Sequence, residues 1–117
     1  MDDEFWCSFY RLMAYMHRDD KSTSIAYVKR AMPLLEKKLA TKPEGIKRIE
    51  TVYLLGEYNR RLGNQAKAKA FFVEAKLTKY TDEEGKEQVA HPYFAVLITD
   101  REKLPTEPAQ PEVKKAK

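Results

Sequence analysis

Residues 49–80 read IETVYLLGEYNRRLGNQAKAKAFFVEAKLTKY and contain the most specific pattern in the chain. Gly56 has no side chain, so a second helix can approach the first closely at this position. Gly63 stands where the first helix has to stop, at a position that favours a left-handed backbone. The second helix then faces the first with small or aromatic side chains, namely Ala68, Phe72 and Ala75. The stretch predicts an antiparallel helical hairpin.

These positions, together with Leu55, resemble the helix-turn-helix of a tetratricopeptide repeat. The resemblance implies an all-α fold of paired helices in a right-handed superhelix, and a function in protein contact rather than in chemistry. Gly, Ala and Phe at these spacings also occur in unrelated helical hairpins, so a generic α-hairpin is the alternative. Aligning Ala31 with Ala75 gives a separation of 44 residues, whereas the repeat has a period of about 34. Two regular repeats are therefore not predicted.

A second resemblance concerns the stretch LGEYNRRLG, residues 55–63. It is similar to the helical C-terminal part of an uncharacterised bacterial protein family, in which a degenerate hairpin precedes such a repeat. The resemblance does not extend to the cysteine-rich N-terminal part of that family. It implies a helical fold and a bacterial, cytoplasmic protein.

The composition indicates one helical domain followed by a tail. The chain has 117 residues, of which 43% are hydrophobic and 34% charged, and only four are glycine. This balance is typical of several helices that each keep a solvated face. Apolar periodicity predicts five helices, at about residues 3–17, 22–40, 46–62, 64–79 and 92–104. Residues 1–104 are thus predicted to form a TPR-like helical domain, and the Pro- and Lys-containing residues 105–117 a disordered tail.

Two segments of this prediction have alternatives. Pro33 lies inside the second helix and removes one backbone hydrogen bond, so a kink or a restart is expected there. Residues 93–99 could form a strand instead of a helix, but no second strand is predicted to pair with it. Pro92 suits the first position of a helix, which favours the helical alternative.

The repeat resemblance also implies which residues meet a partner. In such repeats the first helix of each hairpin lines a concave groove. Carried over through Leu55 and Gly56, the groove-facing residues are Glu50, Tyr53, Glu57, Arg60 and Arg61. An aromatic ring with flanking charges on one helix face can bind a peptide, and plain solvated residues are the alternative. The Lys and Asn pattern with which some repeats hold a peptide's terminal carboxylate is not reproduced at Tyr53 and Glu57.

The first helix carries an unusually wide apolar face. One line of side chains consists of Phe5, Phe9, Leu12 and Met16, and Trp6, Tyr10 and Met13 form a second line beside it. A face this wide is buried on two sides or awaits a partner. We therefore consider a homodimer through this helix, which a monomer mass at tens of micromolar by light scattering would contradict.

The stretch from Arg60 to Lys79 has the one local excess of positive charge in a chain of net charge +4. Six basic residues face a single acidic one, Glu74; they are Arg60, Arg61, Lys67, Lys69, Lys76 and Lys79. A nucleic-acid-binding surface is the alternative function that this excess suggests, and a solvated lysine-rich face is its simplest explanation.

No pattern of catalysis or metal binding is present in the sequence. Its two histidines, His17 and His91, lie at predicted helix ends, and its one cysteine, Cys7, excludes a disulfide framework or a multi-cysteine zinc site. No glycine-rich phosphate loop precedes a helix. The acidic N-terminus and the lack of a long apolar run predict a cytoplasmic protein without a membrane segment. We predict a non-catalytic protein-interaction module without cofactors, either a scaffold or an adaptor.

Overall fold

The computed structural model describes residues 2–104. They form five α-helices and one short β-hairpin. The helices are α1 (Asp3–Met16), α2 (Lys21–Ala40), α3 (Ile46–Arg61), α4 (Gln65–Leu77) and α5 (Pro92–Glu102). The strands β1 (Tyr80–Thr81) and β2 (Glu87–Gln88) pair antiparallel, with Tyr80 opposite Gln88. The all-α prediction is confirmed, whereas the predicted tail, residues 105–117, lies outside the described residues.

The helix boundaries follow from local sequence. The carboxylate of Asp2 accepts a hydrogen bond from the Phe5 backbone N–H at 2.9 Å and so caps α1. Gly63 adopts a φ of +86° directly after α3, as expected for the residue that ends a helix. Pro33 lies inside α2 without a restart, because α2 is one helix from Lys21 to Ala40. Pro92 is the first residue of α5, so residues 93–99 are helical and not a strand.

Helix α3 is the centre of the fold. It packs against α2, α4 and α5, while α1 packs chiefly on α2. Ten of its residues are buried, among them Ile49, Val52 and Leu55, which are fully enclosed. The aliphatic core around these side chains is completed by Val28 and Leu35 of α2. Burial of apolar surface on several sides of one helix stabilises the arrangement of the other four around it.

The predicted close approach of two helices at Gly56 is present. An added Cβ at this position would lie 2.7 Å from both Cδ1 and Cε1 of Phe72, and 3.3 Å from Cβ of Phe71. Phe72 itself is buried and packs against Tyr53, with ring centroids 6.2 Å apart. The absence of a side chain at Gly56 therefore makes room for the ring that joins α4 to α3.

The apolar face of α1 points mostly away from this core. Phe5, Trp6, Leu12 and Met16 are exposed, and Phe9 and Tyr10 are half-buried. The rings of this face contact one another, for example Phe5 and Trp6 at 5.2 Å between centroids. Ala14 is the buried residue of α1. The helix is thus held by its narrow small-residue side, and within residues 2–104 its aromatic side remains largely uncovered.

Candidate functional site

A groove lies between α1, α3 and α5, and we call it the arginine groove. Its volume is about 260 Å³. The residues that line it come from these helices and from the turn after α1, which supplies Arg18. They are Arg11, Ala14, Tyr15, Arg18, Tyr53, Leu54, Glu57, Tyr58, Arg61 and Arg101. Four arginines and one glutamate supply its charged side chains. The groove is therefore a positively charged recess with aromatic and aliphatic walls.

Two helices and one turn build most of the groove. Helix α1 contributes positions 11, 14 and 15, and the turn after it contributes position 18. Helix α3 contributes positions 53, 54, 57, 58 and 61. Residues three, four and seven apart lie on one face of a helix, so each helix presents one continuous face to the groove. The walls of the groove are thus mostly helical, with Arg18 at the end of α1.

Glu57 is the acidic centre of the groove and is shared between two arginines. Its carboxylate accepts hydrogen bonds from Arg60 Nε at 2.9 Å and from Arg60 Nη2 at 2.8 Å. Arg101 Nε of α5 lies 3.4 Å from the same carboxylate. The side chains of Glu57 and Arg60 are only 13% and 10% exposed, so this pair is largely shielded from water. The shared carboxylate ties the end of α5 to the middle of α3.

Arg61 is held by a buried hydroxyl group. Its Nη2 donates to Ser24 Oγ at 3.0 Å, and Ser24 Oγ in turn donates to the Ala14 carbonyl oxygen at 2.7 Å. Ser24 is completely buried near the start of α2. The contact therefore joins α1, α2 and α3 at one end of the groove. It also fixes the direction of the Arg61 side chain, because Ser24 makes both bonds with a single oxygen.

Arg18 and Arg11 lie on the α1 side. The Arg18 guanidinium lies 4.3 Å from the centre of the Tyr15 ring and donates to the Tyr15 carbonyl oxygen at 3.1 Å. Arg11 forms an ion pair with Glu50 at 3.5 Å, and both side chains are about half exposed. Such a pair in contact with water is weak. Arg11 and Arg18 therefore both keep guanidinium groups within reach of a ligand in the groove.

Two tyrosines of the groove, Tyr53 and Tyr58, are buried, and their burial suppresses ionisation of the phenol groups. Burial raises the pKa of Tyr58 to about 12, although the nearby Arg11 and Arg61 act in the opposite direction. Burial also raises the pKa of Tyr53, which the charge of Arg101 opposes. Both phenols are therefore neutral at physiological pH, and they contribute apolar surface and hydroxyl groups rather than charge.

The five residues predicted to meet a partner have different places in the structure. Tyr53, Glu57 and Arg61 line the arginine groove. Tyr53 is only 4% exposed because its ring packs between Phe72 and Phe94, and its main role here is in the core. Glu50 lies beside the groove, paired with Arg11. Arg60 is buried, bonds to Glu57 and lines a separate recess between α4 and α5.

Three arginines of the groove were missed by the sequence prediction: Arg11, Arg18 and Arg101. Arg11 and Arg18 are seven residues apart, a spacing that is typical of one helix face and could have been noticed, although Arg18 lies in the turn after α1. The aromatic lines of α1 concealed this signal, since they dominate its periodicity. Arg101 has no comparable signal, because its place beside Glu57 depends on how α5 packs on α3.

The basic stretch from Arg60 to Lys79 is more neutral in the structure than in the sequence. Three of its cations form ion pairs with carboxylates from outside residues 60–79. Arg60 pairs with Glu57, Lys76 with Glu102 at 3.0 Å, and Lys79 with Glu87 at 3.7 Å. Lys67 and Lys69 are exposed. The predicted continuous basic face is thus interrupted by carboxylates.

Other recesses are less suited to one kind of ligand. One of about 660 Å³ lies beside the start of α3 and carries Lys47, Arg48 and Lys79 together with Glu44 and Glu87. Within residues 2–104, no group of three or more His, Cys, Asp or Glu side chains is placed to hold a metal ion. No helix in the same range has both the length and the apolar character needed to cross a bilayer.

Comparison with known protein families gives a match over most of the chain. A family model described as an uncharacterized protein conserved in bacteria (DUF2225) matches residues 8–91. The matched range contains most of α1, all of α2, α3 and α4, and the β-hairpin. No curated protein and no solved structure matches the chain.

Proposed function

The chain belongs to this uncharacterised bacterial family, and we propose that it is a non-catalytic interaction module that binds a peptide or partner protein in the arginine groove. The observation that supports this proposal most is the construction of the groove from one face of α1 with the turn after it and one face of α3, with Arg101 of α5 at its side. A recess with helical walls and several unlike side chains is suited to recognition of an extended or helical segment.

The order of the helices supports a TPR-like arrangement as part of the same proposal. Helices α1 and α2 pack as one pair and α3 and α4 as another, and α5 follows against the second pair. In tetratricopeptide repeats the first helix of each pair lines the ligand groove, and here α1, α3 and α5 would be these first helices. A scaffold or adaptor of this kind would act in the bacterial cytoplasm.

Site-specific photo-cross-linking in a native bacterial host tests the proposal. Replacing Tyr15 with p-benzoylphenylalanine puts the probe at the groove, and the same replacement at Tyr93 provides a matched control. The two side chains are 60% and 63% exposed, and Tyr93 does not line the groove. We expect a protein adduct of discrete mass from position 15 that is absent from position 93 and is lost when Arg61→Gln is added.

Two results would contradict the interaction module. Equal adducts from both positions would mean unspecific encounters, and no adduct from position 15 would mean that the groove is unoccupied in the cell. An adduct whose mass falls to nearly that of the protein alone after nuclease treatment would favour the alternative function, nucleic-acid binding. Binding of that kind would also fall steeply as salt concentration rises.

A further inference from the structure

The charges of the arginine groove are not balanced within the part of the chain that the structure describes. Its lining holds four arginines and one glutamate. Adding the two residues that bond to the lining, Glu50 and Arg60, leaves the same excess of three positive charges. Glu57 already serves both Arg60 and Arg101. Of the three excess charges, one is therefore shared by Arg60 and Arg101 around Glu57. The other two reside on Arg18 and Arg61, for which no carboxylate partner is found among residues 2–104.

Arg61 carries this excess in a partly buried position. Its partner is the neutral Ser24 hydroxyl, which accepts one hydrogen bond and leaves the other guanidinium N–H groups available. A guanidinium that is half withdrawn from water gains more from an anionic partner than a fully solvated one. Arg18 is oriented beside it by the Tyr15 ring and carbonyl group. Both cations are thus held in place before any ligand arrives, which lowers the entropic cost of binding.

The walls of the groove indicate which anion it suits. The exposed ring of Tyr15, with small exposed parts of Leu54 and Tyr58, offers apolar and aromatic surface between the charges, as the side chains of a peptide require. Two lysines of the basic stretch, Lys76 and Lys79, are paired with Glu102 and Glu87, which leaves less positive charge for a nucleic-acid backbone to follow.

From these observations we infer that the arginine groove binds a short acidic segment of a partner protein, in which Asp or Glu side chains accept hydrogen bonds from Arg18 and Arg61. This inference rests on the proposed function, since it specifies the partner of the same groove. Planar guanidinium groups bind carboxylates with two parallel hydrogen bonds, which gives direction as well as affinity. Arg11, beside its weak pair with Glu50, is placed to bind a further carboxylate.

Selection from a phage-displayed library of random octapeptides tests the inference without knowledge of the natural partner. The displayed peptides have no free C-terminus, so any acidic preference must come from side chains. Three proteins are compared: the wild type, the double variant Arg18→Gln and Arg61→Gln, and the double variant Lys67→Gln and Lys69→Gln. Both double variants lose two positive charges, but Lys67 and Lys69 are exposed on α4 and do not line the groove.

The affinity of the most enriched peptide is then measured by fluorescence anisotropy. We expect enrichment of Asp and Glu, and a loss of roughly tenfold in affinity for each arginine removed. The lysine variant should stay within about twofold of the wild type, because it leaves every proposed contact in place. Replacing Asp and Glu of the peptide with Asn and Gln should abolish binding to the wild type. Thermal unfolding of each variant checks that it is folded.

Each other outcome rejects the inference in a distinguishable way. Enriched peptides without acidic residues, or binding that survives loss of both arginines, would overturn the acidic segment and leave the interaction module standing. Equal losses in both double variants would mean unspecific attraction between charges. Displacement of the peptide from the groove by a single-stranded oligothymidylate at physiological salt would assign the groove to nucleic acid. No enriched peptide, together with no cross-link from position 15, would reject the proposed function as well.

Discussion

Replacement of Gly56 by alanine tests the close approach of α3 and α4. Two effects oppose each other at this position. Alanine favours an interior helix position by about 1 kcal/mol over glycine. The new methyl group, however, would lie 2.7 Å from two ring carbons of Phe72, whereas unstrained carbon contacts lie at roughly 3.5–4.0 Å.

The magnitude follows from the environment of the ring. Phe72 is 2% exposed and packs against Tyr53, so it cannot swing into solvent to relieve the contact. Adding a methyl group to a well-packed core costs about 1–3 kcal/mol. Because the new methyl group would clash with two ring carbons of Phe72, we take the upper part of this range. Gly56→Ala should therefore lower the free energy of unfolding by about 1–2 kcal/mol after the gain in helix propensity is subtracted.

Urea unfolding followed by circular dichroism measures this change. Ala70 is exposed on α4, so Ala70→Gly measures the difference in helix propensity between alanine and glycine in the same protein. In a Phe72→Leu background the obstructing ring is gone, and Gly56→Ala should become neutral or stabilising. A double-mutant cycle isolates the contact, since it subtracts the effect of each single change. If Gly56→Ala stabilises the wild type by the amount that Ala70→Gly destabilises it, the close approach is absent.

Three further predictions concern the ion pair, a phenol and the exposed helix face. Glu57→Gln should lower the free energy of unfolding by about 3 kcal/mol, because it leaves the shielded Arg60 and Arg101 without a carboxylate. In the same urea experiment, Glu87→Gln removes an exposed ion pair and should change this free energy by less than about 0.5 kcal/mol. Burial raises the pKa of Tyr58 to about 12 in the folded chain, whereas the same phenol group ionises near pH 10 in the unfolded chain. The free energy of unfolding should therefore fall as pH rises from 10 to 12. The wild type should lose roughly 2–3 kcal/mol relative to Tyr58→Phe over that range, and parallel pH profiles would contradict this. If the aromatic face of α1 pairs two chains, light scattering should give a dimer mass that returns to the monomer in the Phe5→Ser and Trp6→Ser double variant, and a monomer mass for the wild type at tens of micromolar would exclude it.

Local sequence was sufficient to predict most of the fold. The glycine at position 56 and the ring at position 72 indicated the central hairpin, and Gly63 and Pro92 marked a helix end and a helix start that the structure reproduces. These features act over one or two helical turns, so they can be read without knowing the remainder of the chain. The pairing of residues 80–81 with 87–88 was not predicted, because strands of two residues leave almost no periodic signal.

The candidate site was only partly accessible from sequence because its charges come from distant segments. The α3 face was found through the repeat resemblance, which named Glu57 and Arg61. Its interpretation changed once α5 was in place, since Phe94 covers Tyr53 and Arg101 approaches Glu57. The basic stretch likewise loses its continuity through carboxylates that follow it in the chain. Local charge counts cannot anticipate such pairing, which depends on tertiary packing.

Nuclear magnetic resonance tests the central claim most directly, by mapping where an acidic peptide binds. The peptide enriched by selection is titrated into isotopically labelled protein, and the side-chain Nε–Hε signals of arginine are followed together with the backbone amides. The account predicts that the largest shifts occur at Arg18 and Arg61 and along the groove faces of α1 and α3, with Lys67 and Lys69 unaffected. Shifts that cluster instead on the outer face of α4, or on the aromatic face of α1, would contradict it.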